Sequence, residues 1–116
     1  MMTQTEIGRE GERLAGIYLQ KKGFDIVAKN YRHSRAEIDL IIKRDNWLIF
    51  VEVKARSSVN YGQPEDAVGV QKISKLFEAA EEYIFSTNWQ GHVRFDVVSV
   101  KLGKEPVIEH FEDAIN

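Results

Sequence analysis

Cysteine is absent from all 116 residues, which removes disulfide frameworks, zinc ribbons and thiol catalysis and suits a reducing compartment. No run of eighteen or more apolar residues occurs, and the amino-terminal stretch MMTQTEIGREGERL lacks a basic segment followed by an apolar one. A cytoplasmic protein with no membrane association is therefore expected. The chain has no GxGxxG after a first strand and no GxxxxGK[ST], so dinucleotide and P-loop folds are not indicated. Internal repeats, low-complexity segments and linkers are missing too. Nor is there an excess of positive charge: the formal net charge of -2 excludes coating of nucleic acid by charge alone, because such binding needs many phosphate-neutralising cations.

What remains is an ordinary globular composition, 43% hydrophobic and 29% charged, in a length that suits one domain over residues 1–116. Ile7, Leu14, Ala15, Tyr18 and Leu19 recur at three- and four-residue intervals between Glu6 and Lys22. That spacing predicts an amphipathic helix, capped by Thr5 and ended by Gly23. Strands are expected over Phe24–Tyr31, Ala36–Lys43 and Trp47–Ala55, with Asp45 and Asn46 as the turn between the last two. Ser57–Pro64 reads as a loop. A second helix follows from Glu65 or Val70 to Ser86, then a strand over Val93–Val100 and a short one over Val107–Phe111. The order helix, three strands, helix, strand predicts an α/β fold with one mixed sheet and a helix on each face.

Folding AEIDLIIKRDNWLIFVEVKA about its turn pairs Ile42 with Ile49, Leu40 with Val51 and Ile38 with Val53 on one apolar face. On the other face Ile41 meets Phe50, Asp39 falls opposite Glu52 and Glu37 opposite Lys54. Facing carboxylates repel unless something compensates them, and a divalent cation would. Hard oxygen donors suit Mg²⁺ or Mn²⁺. Lys54, two residues beyond Glu52 on the same face, is placed to orient a water or stabilise a phosphate. Glu12, on the edge of the first helix's stripe, is a candidate fourth member, and Glu37 reads as the salt-bridge partner of Lys54. A structural ion network is the competing explanation, but converging charges inside a small sheet are costly to desolvate.

Basic patches fall at Arg32, His33 and Arg35, at Lys54 and Arg56, and at Lys72 and Lys75, each more often a solvated surface than a site. His33, His92 and His110 are isolated and lack metal-ligand spacing. Core packing is the expected fate of Trp47 and partial burial that of Trp89 and Tyr61, with stacking on bases as the alternative role.

Glu12 in the first helix, Asp39 in AEIDLI and Glu52-x-Lys54 in FVEVKAR resemble the PD-(D/E)XK nuclease superfamily, whose restriction-endonuclease-like fold has the same element order. More closely, GREGERLAGIYLQKKGFDIVAKNYR, AEIDLII, LIFVEVKARSS, YGQPEDAV and RFDVVSV are similar to the YraN-like family, itself similar to archaeal Holliday-junction resolvases. Ala36 stands where that family typically has Gly. The resemblance implies that Asp39 and Glu52 bind Mg²⁺ or Mn²⁺, that Glu12 assists, and that Lys54 positions the attacking water. Gln63, Lys72 and Arg56 are the implied substrate contacts. The implied activity is hydrolysis of DNA phosphodiester bonds, with branched DNA as substrate and a homodimer as the acting form. A noncatalytic nucleic-acid-binding or scaffolding subunit of the same fold is the alternative.

Overall fold

The computed structural model describes residues 2–57 and 70–115. Helix α1 spans Gln4–Lys21 and begins one turn earlier than its apolar stripe. Thr3, not Thr5, is the cap. Its hydroxyl accepts from Glu6 N at 3.1 Å while Glu6 Oε1 accepts from Thr3 N at 2.8 Å, a reciprocal box that satisfies two otherwise orphaned donors. At the far end Gly23 takes φ 96°, a left-handed conformation that glycine adopts without steric cost.

The strands β1 (Asp25–His33), β2 (Ala36–Arg44) and β3 (Trp47–Arg56) form an antiparallel meander. Asp45, at φ 55°, makes the β2–β3 turn. Helix α2 (Val70–Thr87) carries the chain over to β4 (His92–Lys101), which runs parallel to β3, and β5 (Val107–Phe111) returns antiparallel on the edge. A parallel neighbour demands such a crossover, since a tight turn can only reverse direction. The result is a five-stranded mixed sheet in the order β1-β2-β3-β4-β5.

Each face of the sheet has its own core. On one, Ile7, Ala15 and Leu19 of α1 pack against Leu40, Ile42, Ile49, Val51, Val98 and Val100. On the other, Leu76, Ala79 and Ala80 of α2 pack against Ile38, Ile41, Leu48 and Phe50. Helix α1 lies very close to β3, because a β-carbon at Gly11 would collide with Ala55. No helix among the described residues is long and apolar enough to cross a membrane.

The hairpin register holds from Arg44↔Trp47 to Leu40↔Val51 and then stops. Beyond that point the expected pairs of Asp39 with Glu52, Ile38 with Val53 and Glu37 with Lys54 are not formed as ladder pairs. Ile38 packs on the α2 face, whereas Val53 packs on the α1 face, so they do not share an apolar face as expected. The cause lies at Asp39, whose carboxylate accepts the Val53 N–H at 2.8 Å. A side chain thus takes a backbone donor that would otherwise seek a carbonyl, and the two strands part there.

Candidate metal and phosphate site

The parting of β2 and β3 opens a cavity of about 220 Å³, lined by Asp39, Glu52, Glu37, Arg35, Lys72 and Lys75 together with Ala36 and Leu76. Asp39 is half-buried and Glu52 only 5% exposed. The Asp39 carboxyl is pushed up to about 8, first by burial and next by the charge of Glu52. The Val53 N–H works against the rise, while the charge of Glu12 and a hydrogen bond with Glu52 add to it. The Asp39 carboxyl is thus costly to ionise beside the charge of Glu52.

Lys72, expected as a substrate contact, lines the cavity and places its Nζ 2.9 Å from Glu52 Oε1. Its side chain is 53% exposed against 7% for the glutamate, so the ammonium reaches in from solvent to a buried partner. Glu12 does not join the pair directly. Its Oε1 accepts from Asn30 Nδ2 at 3.0 Å, and it acts on Asp39 only through its field. Lys54 is half-buried on β3 beside Ser99 of β4 and is not a lining residue of the cavity. The expected Glu37–Lys54 ion pair gives way to Glu37–Arg32, at 3.4 Å. Arg56 ends β3, its carbonyl accepting from Leu102 N at 2.9 Å, and it too lies outside the cavity lining. Gln63 falls outside the described residues, as does Tyr61.

Among the described residues no three histidine or acidic side chains stand close enough to hold a metal by themselves. The chemistry of the pair nevertheless fits a hard divalent cation. Asp39 and Glu52 offer oxygen donors, and the Lys72 ammonium occupies a place of positive charge beside Glu52. Mg²⁺ and Mn²⁺ sites commonly use one or two protein carboxylates and complete their shell with water and phosphate oxygens. Arg35 and Lys75 add cationic walls that the sequence suggested only as surface patches.

A second charged cluster, invisible in the sequence, lies under the carboxyl-terminal end of α1. Asp96 is fully buried and accepts from Arg94 Nε at 2.8 Å, Arg94 Nη2 at 3.0 Å and Asp113 N at 2.9 Å. His110 Nε2 is 2.7 Å from the same carboxylate, and its Nδ1 is 2.9 Å from Lys22 Nζ. These partners hold the Asp96 carboxyl below its usual range against the opposing effect of burial. His110 is therefore not isolated. Trp47, expected in the core, is 37% exposed and stacks on His92 with ring centroids 4.7 Å apart.

Similarity to known proteins covers nearly the whole chain. A family described as "Uncharacterised protein family UPF0102" matches residues 11–100. The UPF0102 protein FP2501 of Flavobacterium psychrophilum is 44% identical over 115 residues, which cover 98% of this chain and 97% of the relative. A UPF0102 protein of Natranaerobius thermophilus is 44% identical over 119 residues, covering 97% and 99%. One from Cytophaga hutchinsonii is 42% identical over 106 residues, covering 91% and 94%.

Proposed function

The chain belongs to the UPF0102 family, and on that premise we propose that it is a metal-dependent nuclease of the PD-(D/E)XK type, a single domain hydrolysing DNA phosphodiester bonds. The observation that carries the reading is the Asp39–Glu52 pair, at the mouth where β2 and β3 part and inside a cavity walled by Arg35, Lys72 and Lys75. Repelling carboxylates beside basic side chains suit a cation on one side and a phosphate on the other. Stability alone would be better served by apolar residues there.

Asp39 and Glu52 would hold Mg²⁺ or Mn²⁺. The bound cation supplies charge to the phosphate and a water of lowered pKa. The Val53 N–H fixes one Asp39 oxygen and so orients the other. Arg35 and Lys75 would orient the phosphate in the cavity. Lys54 lies outside the cavity lining, and its role of opposing the charge that builds on the phosphate, as the water oxygen attacks and the phosphorus–oxygen bond breaks, comes from the resemblance and from its place two residues beyond Glu52 on β3. Glu12 adds negative field at Asp39, which favours the arrival of positive charge. The order αβββαββ, with the reactive pair on the central hairpin, supports the restriction-endonuclease-like assignment. Branched DNA and a twofold dimer remain part of the proposal through the resemblance alone.

The noncatalytic alternative has one observation in its favour, the Lys72–Glu52 ion pair, which compensates Glu52 without a metal. A cleavage panel of branched and linear DNAs with Mg²⁺ or Mn²⁺, run beside Glu52→Ala, decides between them. Cleavage by the wild type that disappears in the variant is expected. Cleavage that survives the substitution would trace to a contaminant, and no cleavage of any substrate would favour the binding subunit.

A further inference from the structure

The Lys72–Glu52 contact joins a largely exposed ammonium to a carboxylate that is nearly sealed from water. Lysine carries a compact charge on a flexible stem, and Arg35 and Lys75 line the same cavity. Its partner cannot move so freely, because Glu52 sits on the central strand β3, paired on one side with β4 through Val97.

We propose that Lys72 is a built-in counter-cation for the carboxylate pair, which a divalent cation must displace in order to bind. The inference rests on the proposed function above and adds a competition internal to the site. In the metal-free protein the ammonium sits 2.9 Å from Glu52, in the place of positive charge that a divalent cation would take. The released ammonium remains over the cavity beside Lys75 and Arg35, where a phosphate oxygen is the partner of complementary charge. Cation and phosphate then favour each other, since each is helped by moving Lys72 from Glu52 towards the anion.

Lys72→Met removes the competitor while keeping most of the stem, and Lys75→Met removes a neighbouring charge that makes no contact with Glu52 in the structure. Mn²⁺ affinity, read from the electron paramagnetic resonance signal of free Mn²⁺ without nucleic acid, should tighten by about five- to tenfold in Lys72→Met, the lower range of site-to-site coupling. Lys75→Met should change it far less, and Lys72→Arg should stay near the wild type. Equal or weaker Mn²⁺ binding by a folded Lys72→Met, with the wild type binding normally, overturns the displacement idea and leaves the metal site standing. Equal tightening in both methionine variants also overturns it, since a general loss of positive field would then be the cause. Failure of the wild type and Lys72→Met alike to bind Mn²⁺ at millimolar concentration removes the metal site itself, and this proposal with it.

Discussion

Asp39→Asn should stabilise the metal-free protein near neutral pH, and by more as the pH rises. In the folded chain burial and the neighbouring Glu52 push the Asp39 carboxyl up to about 8. In the unfolded chain an aspartate titrates near ~3.9. Between those values the native state keeps a proton that the unfolded state has lost, so stability falls as pH rises through the window. The contribution is fully present below ~4 and gone above about 8. One such proton changes stability by at most ~1.4 kcal/mol per pH unit. Asp39 is only half-buried, and solvent screening reduces this to about half, or on the order of 1–2 kcal/mol across two pH units. The amide keeps an oxygen for the Val53 N–H but cannot ionise, so the variant loses this slope. Urea unfolding of both proteins at several pH values from ~5.5 to ~7.5 isolates the effect as a difference. Parallel curves would refute the reasoning. Mn²⁺ should oppose the trend in the wild type, because the cation competes with the proton and binds the native state alone.

Lys54→Met should lower cleavage by roughly a hundredfold or more, as when a positioned electrostatic group is lost, while DNA affinity changes far less. Parallel loss of binding would make Lys54 a ground-state phosphate contact. Asp96→Ala should cost about 3–5 kcal/mol in urea unfolding, since it strands Arg94 and His110 in a buried cluster. Because the Asp96 carboxyl is held low, its contribution is present above ~4 and is lost as pH falls through its depressed native value; a loss under ~1 kcal/mol would contradict the buried network. Gly11→Ala should destabilise by about 1–3 kcal/mol through forced separation of α1 from Ala55, despite a gain of nearly 1 kcal/mol in helix propensity. An unchanged thermal midpoint would argue against so close a packing.

The periodic elements were legible because each buries a stripe or face whose spacing is written directly into the residues. Ile7, Ala15 and Leu19 mark α1, and Leu76 and Ala80 mark α2, with the side chains on the faces their spacing predicts. The β2–β3 turn and the pairs from Arg44↔Trp47 to Leu40↔Val51 follow from counting outward from Asp45 and Asn46. The same counting sets Asp39 directly opposite Glu52, and the structure keeps them neighbours in one cavity without the ladder pairing. Thr3 as the cap is also readable, since Thr3 and Glu6 have the spacing of a capping box, but the apolar stripe begins one turn further on and points to Thr5.

Tertiary structure alone decided the rest. Period-two counting assumes that every backbone donor finds a carbonyl, and it fails where the Asp39 side chain takes the Val53 N–H and parts the strands. That departure sends Ile38 to the opposite face and opens the cavity in which Lys72 meets Glu52 across 20 residues of chain. His110 and Asp96 likewise come together only when β5 pairs with β4. Local spacing specifies which side of an element a residue takes. Which charges share a low-dielectric space depends on how distant elements pack, and that packing alone brings Glu52 together with Lys72 and Asp96 together with His110.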